Sequence, residues 1–388
     1  MAKEVVPIGI LLSRTGSYRT VGEAMYSGAM LAIAEVNASE SFQFVLSPVA
    51  VDPAGVTHRY VEGAKELLAD GKVTHVIGCY TSSSRKDVLP VFEKNDALLW
   101  YTSHYEGFET SENIIYTGAA PNQHVVPLTR HLLKTNRRRA FFIGSNYIWA
   151  WENNRVMRDM LVRNGGHVMA ERYVPIDDVD LDEIIAMIVK NKPDFVFNTL
   201  IGESAYAFYR KFRHAAELAG LDQARDIPVA SCSLAEPELA RIGADCDGHL
   251  SSSVYFASID SPENTKFLSA WHQQGRHEGW TSADAEAPYI AVHLLARAIS
   301  EGGAANLETV RDAVTKVSFL APQGLVRVDP ENRHCHLRAR IGRSKSDGTF
   351  EIIYESPRPI RPDPYLIWEP TESEIKLNDS APSLRVVS

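Results

Sequence analysis

Cysteine is scarce in this chain, with Cys79, Cys232, Cys246 and Cys335 the only four among 388 residues. They lie far apart and form no CxxC pair. That spacing supports neither a zinc site nor the disulfide framework of a small secreted domain, so all four read as reduced, mostly as small packed groups. Clustered positive charge is also missing. The formal net charge is −9, and the one compact basic run, Arg137 to Arg139, stands just before a strand and reads as a solvated loop. A nucleic-acid surface is excluded on that ground, and a basic partner suits the chain better. No GxxxxGK loop and no GxGxxG fingerprint occurs, which leaves nucleotide cofactors without support. Cys79 in GCYTS and Ser204 in IGESAY lack the flanking glycines of a nucleophile elbow. His334 and His336 make at most two ligands, too few for a metal site, and read as a hydrogen-bonded or exposed pair. The first apolar run, Val5 to Leu12, is too short to cross a membrane and has no small-residue cleavage site after it. It reads as a buried strand, and the expectation is a cytoplasmic protein without membrane insertion.

What is present is an alternation. At this length and 45% hydrophobic content, the chain can bury two or three cores. Short apolar strands (Val5 to Leu12, Phe42 to Val51, Thr74 to Cys79, Ala97 to Tyr101) are separated by segments with helical spacing, such as Val21 to Asn37 and Arg59 to Ala69. A second series runs from Asn122 to Val254. Strands alternating with helices of this length mean β-α-β units and parallel sheets, hence an α/β fold. Ser261 to Lys316 reads as mainly helical, followed by short strands at Leu325 to Val328, His336 to Ile341 and Phe350 to Tyr354. The segment from Pro357 onward is expected to wrap the surface and end disordered.

The strand ends carry the polar and aromatic residues. Ligands of open parallel sheets bind at the carboxyl ends of strands, where free amides and helix N-termini meet. After Gly78 come Tyr80, Thr81 and the serines 82 to 84; after the next strand come Tyr101, Ser103 and Tyr105; Tyr147, Trp149 and Trp151 follow a strand of the second series. Thr199 and Ser233 also end strands. Trp149 and Trp151 are two apart, so one is expected to face the cleft and the other not. These loops offer mostly neutral hydroxyls. An amino-acid site would need a fixed cation for the carboxylate and an acid for the ammonium, so a neutral guest such as an amide or urea fits better. No nucleophile stands beside a base, and binding rather than chemistry is expected.

The segments GCYTSSSRK, LLWYTSHYEGFE, TGAAPNQ, IGSNYIW, APQGLVRVDPENRH and SPRPIRPDPY together resemble the type I periplasmic-binding-protein family over nearly all of residues 5 to 370, and within it the AmiC-type amide sensors. Urea-binding and short-chain-amide-binding subunits of ABC transporters share many of these motifs. The resemblance implies two Rossmann-like lobes with parallel sheets joined by three crossovers, near Ala119 to Asn122, Val254 to Ser258 and Leu325 to Asp329. The lobes would comprise residues 1–119 with 255–327 and residues 120–254 with 328–370, leaving 371–388 as a tail. Carried over by position, the pocket would use Tyr80, Ser82, Tyr101, Ser103, Tyr147, Trp149, Thr199 and Ser233, with no catalytic residue, metal or cofactor. Ser82 would offer its amide and hydroxyl to a ligand carbonyl. The function implied is a negative regulator of an amidase operon that sequesters an RNA-binding antiterminator until an inducing amide binds. The alternative is an extracytoplasmic receptor that feeds amides or urea to an ABC permease. A homo-oligomer is left open. The chain departs from the family pattern at Thr102, His104, and Trp149 to Trp151, which implies a reshaped pocket floor.

Overall fold

The structure, a computed structural model, describes residues 3–274 and 281–367. Its first sheet grows from β1 (Glu4–Leu11), whose inner half is buried on both faces and therefore reads as continuous apolar sequence. Then follow α1 (Arg19–Ala38), β2 (Phe44–Val51), α2 (Thr57–Leu68), β3 (His75–Gly78), α3 (Ser82–Lys94), β4 (Leu98–Tyr101) and β5 (Ile114–Tyr116). All five strands are parallel, in the order β2-β1-β3-β4-β5.

The chain then crosses to a second unit: α4 (Val125–Lys134), β6 (Arg139–Ser145), α5 (Ile148–Arg163), β7 (His167–Val174), α6 (Asp182–Asn191), β8 (Phe195–Thr199), α7 (Glu203–Leu218), α8 (Gln223–Asp226), β9 (Val229–Ser231), α9 (Glu236–Ile242) and β10 (Leu250–Ser253). It returns to the first unit with α10 (Pro262–Gln273), α11 (Ala283–Gly302), α12 (Leu307–Ala313) and the antiparallel strands β11 (Ser318–Ala321), β12 (Gly324–Val328) and β13 (Cys335–His336). A last passage adds β14 (Arg340–Ser344) and β15 (Phe350–Glu355), giving a seven-stranded sheet ordered β15-β14-β10-β9-β8-β6-β7. The two α/β lobes expected from the alternation are present.

Each sheet is covered on both faces, as parallel sheets must be. In the first lobe, α1 and α11 pack on one face; small residues let them approach so closely that a Cβ on Gly28 would lie 1.9 Å from the carbonyl oxygen of Ala285. Helices α2 and α3 cover the other face. In the second lobe, α6, α7 and α9 oppose α4 and α5. The crossing segments are tied together by side chains: Gln123 donates to the carbonyls of Cys335 and Ile360 at 2.9 Å each, and Arg340 donates to those of Val254 at 2.5 Å and Gln323 at 2.9 Å.

Several details differ from the sequence expectation. Leu325 to Asp329, read as a crossing, are the strand β12 and its end, and the chain passes to the second sheet between His336 and Arg340. The β11 strand, too short and half-exposed to stand out, pairs with β12. Helices α3 and α5 begin at Ser82 and Ile148, so Trp149 and Trp151 lie in a helical turn rather than a loop. The proposed tail, 371–388, lies outside the described residues.

Candidate functional site

A cavity lies where the two lobes meet, at the carboxyl ends of their strands. The first lobe contributes Tyr80, Thr81, Ser82, Ser103 and His104; the second contributes Tyr147, Trp149, Ile201 and Ser233. The chain reaches this place by sharp local turns. After β3, Cys79 takes a positive φ of 57°, and Thr81 caps α3 by accepting the backbone N–H of Ser84 at 3.2 Å, which aims the positive end of the helix at the cavity. Gly118 permits the loop after β4, since a Cβ there would sit 2.0 Å from the carbonyl oxygen of Ser103.

Of the eight residues expected from sequence, six line the cavity: Tyr80, Ser82, Ser103, Tyr147, Trp149 and Ser233. Tyr101 does not; it is fully buried behind the wall, where its hydroxyl donates to the carbonyl of Tyr80 at 2.9 Å and so holds that turn. Thr199 does not either, because its hydroxyl turns back to the carbonyl of Ile143 and to Asn154. Both stand at strand ends, but pleating points successive side chains to opposite faces and theirs point away. The α5 turn decides between the tryptophans: Trp149 is buried against His104 and Tyr147, whereas Trp151 is 45% exposed. Thr81, named with the strand-end hydroxyls but not among the eight, also lines it, and so do His104 and Ile201, which the sequence reading did not place there. His104 had been marked only as a departure from the family pattern, and that departure was the available signal.

Beneath the serine loop lies a buried ionic platform. Arg85, fully enclosed, pairs with Glu106 at 3.0 Å and Glu109 at 2.6 Å, and its guanidinium lies 4.7 Å from the ring centres of both Tyr101 and Tyr105. Ser82 Oγ donates to Glu106 and accepts from Arg85 at 3.3 Å. The hydroxyl proton of Ser82 is therefore engaged, which corrects the expectation that it would be given to a ligand carbonyl. Burial raises the carboxyl of Glu109, but the adjoining Arg85 and Lys86 outweigh it and bring its pKa down to about 2.

Trp149 and His104 keep free hydrogen-bonding capacity. The indole N–H of Trp149 meets no acceptor, and the His104 ring makes no hydrogen bond among the described residues. Burial alone lowers the His104 pKa to about 4, so at neutral pH it presents one donor and one acceptor without charge. A second, small chamber shares Ser233 and is lined also by Asn198, Leu200, Ala205, Tyr206, Tyr209, Ser231, Leu234 and Glu238. Among the described residues, no Lys or Arg side chain lines either space. Cys79 stays a buried thiol, its pKa pushed up to about 12 by burial, so no thiolate nucleophile is on offer. The arrangement can hold a small polar molecule by hydroxyls, amides and ring faces.

Residues 6–371 match the profile of a family described as periplasmic binding protein domain. Among curated proteins, the Leu/Ile/Val-binding protein homolog 6 of Brucella abortus (strain 2308) is 22% identical over 358 residues, which covers 89% of this chain and 90% of that protein. A solute-binding protein of an ABC transporter from Rhodopseudomonas palustris HaA2, solved in complex with p-hydroxybenzoic acid, superposes with a TM-score of 0.85 at 21% identity, covering 94% of this chain and all of that one. The leucine-binding protein from Thermotoga maritima MSB8 gives 0.78 at 16% identity, over 90% of this chain and 98% of that one. At such identities the likeness shows the shared fold.

Proposed function

Because the chain belongs to the periplasmic binding protein family, we propose that it is a solute receptor whose two lobes close over a small uncharged amide or urea and deliver it to an ABC permease. One observation carries this reading: both lobes bring hydroxyls, aromatic rings and a neutral imidazole to a cavity that, among the described residues, no Lys or Arg lines. A free carboxylate would be buried there without a counter-charge, at a cost of several kcal/mol. A neutral guest with donors and acceptors avoids that cost. Hydrogen bonds from the α3 N-terminus, Trp149 and His104 would fix its polar end, and Tyr80 and Tyr147 would flank its alkyl part.

The physics is that of a hinge. A ligand shifts the open–closed balance only by the difference in its affinity for the two states. Here Tyr18 of the first lobe packs both on Tyr80, with ring centres 5.4 Å apart, and on the core of the second lobe. The first-lobe ring of Phe108 likewise lies 4.8 Å under Arg155. A guest that touches both walls therefore favours the closed form.

A receptor that feeds a permease works outside the cytoplasm, in place of the expected cytoplasmic location. The relatives named as ABC-transporter solute-binding proteins favour an extracytoplasmic setting. No helix among the described residues is long and apolar enough to cross a membrane. A second reading, the amide sensor that sequesters an antiterminator, draws on the six segments that resemble AmiC-type sensors. Titration calorimetry with acetamide, propionamide, butyramide and urea, with leucine and 4-hydroxybenzoate as charged comparators, tests the ligand class. Undetectable binding of all four neutral compounds at millimolar concentration would remove it. Co-purification of the chain with a permease or an antiterminator encoded beside it separates the two readings.

A further inference from the structure

The hydroxyl of Ser82 stands between the cavity and the ionic platform beneath it, and its neighbours there are fixed in kind. Ser82 lines the cavity and is buried, as are Glu106 and Arg85. Arg85 can only donate and an ion-paired carboxylate can only accept, so the Ser82 proton lies on the Glu106 side. One lone pair of Ser82 Oγ then meets Arg85 Nη1 at 3.3 Å, and the other is left over. The Ser82 backbone N–H, at the first position of α3, takes no acceptor among the described residues.

Stability accounts for part of this arrangement, because a buried cation needs its carboxylates. Glu109 and one oxygen of Glu106 meet that need, at 2.6 and 3.0 Å. The other oxygen of Glu106 is turned not to Arg85 but to the serine that lines the cavity. That contact changes what the cavity offers. A serine with a free proton presents two donors, its N–H and its O–H, which suits the two oxygens of a carboxylate. With the proton held by Glu106, the same residue presents one donor and one acceptor. A primary amide carries the complementary pair, a C=O and an N–H side by side.

We propose that Glu106 is the specificity-determining residue of this site: by holding the Ser82 proton, it makes Ser82 take the C=O of a primary amide on its backbone N–H and an amide N–H on its Oγ, and turn away a carboxylate or a ketone. Glu106 touches no guest and acts through Ser82. This inference rests on the amide reading and deepens it. Trp149 of the facing lobe, whose indole N–H is buried without an acceptor, supplies a second donor to the same carbonyl oxygen.

Isosteric pairs test it: acetamide against acetone and propionamide against butanone, which exchange the NH2 for a methyl group, with propionate as the carboxylate, each titrated calorimetrically into the full chain. Each amide should bind about tenfold or more tightly than its ketone, which leaves the Ser82 lone pair unmet. In Glu106→Gln, Arg85 retains the side-chain oxygen and the new NH2 faces Ser82, which frees the hydroxyl proton. The amide-over-ketone ratio should then fall to about threefold or less, and propionate should gain on propionamide. A variant that merely loosens the loop weakens all three guests together and leaves these ratios unmoved. Ser82→Ala should weaken the amides by about tenfold and leave the ketones within about twofold. An equal loss for both would mean that Ser82 donates to the carbonyl, and would overturn the proposal. Amides with no advantage over their ketones, or a ratio that Glu106→Gln does not change, would overturn it too and leave the amide reading intact. Failure of every amide would overturn both. If Glu106→Gln does not fold, the ratios for the unaltered chain and for Ser82→Ala decide the matter.

Discussion

Replacing Arg85 by methionine should be the most damaging single change in the first lobe that leaves its hydrophobic volume almost unaltered. The guanidinium is fully enclosed and serves two carboxylates, Glu106 at 3.0 Å and Glu109 at 2.6 Å. Without it, Glu109 keeps Lys86 at 2.9 Å, but Glu106, only 2% exposed, retains that lysine at 4.0 Å and the hydroxyl of Ser82. Breaking a buried pair by removing one partner costs about 3–5 kcal/mol, chiefly because a charge is left uncompensated. With roughly 2–4 °C lost per kcal/mol for a unit of this size, the melting temperature should fall by roughly 6–20 °C. Thermal melts followed by circular dichroism measure this. The decisive comparison is Arg85→Met with Glu106→Gln in one chain: if stranded charge is the cause, the double variant regains more than half of the loss. A loss below about 1 kcal/mol, or a double variant no more stable than the single one, would refute the reasoning.

Three further outcomes are expected. Trp149→Ala removes a ring buried between His104 and Tyr147 and should weaken amide binding by about tenfold or more in calorimetric titration, with a smaller effect from Trp151→Ala at its exposed position. Gly118→Ala should weaken ligand binding and stability together, because the added Cβ would meet the carbonyl oxygen of Ser103 at 2.0 Å and displace the loop carrying Ser103 and His104. Stability should peak in mildly acidic solution. His75 and His104 are lowered to about 4 and His124, His249 and His334 to about 3, by burial above all. The unfolded chain binds those protons first, so stability is lost as pH falls from about 6.5 toward those values. Burial raises Asp284 to about 7 and Glu236 to about 8, so here the folded form holds the proton longer and stability falls as pH rises from about 4.5 toward 7 and 8. A melting temperature that climbs steadily to pH 8 would contradict this.

The alternation of strand and helix is legible because the central strands β3, β4, β6 and β8 are buried on both faces and most of the helices between strands on one. The six cavity-lining residues were legible for a related reason: parallel sheets expose their strand ends on one side, so Tyr80, Ser82, Ser103, Tyr147, Trp149 and Ser233 had to converge if the lobes faced each other. Tyr101 and Thr199 obey the same rule of position, but their side chains turn inward, and that depends on where a strand stops to within one residue. His104 is a loop residue whose inward aim follows from Gly118, fourteen positions along the chain and packed against its backbone.

The most direct test of two lobes closing on an uncharged guest without altering it is titration of the full chain with propionamide, followed by recovery of the ligand and its proton NMR spectrum. Saturable one-to-one binding, lost on Trp149→Ala, with propionamide returned intact is the result predicted. Binding of leucine or 4-hydroxybenzoate in place of every amide, or recovery of propionate and ammonia, would contradict it.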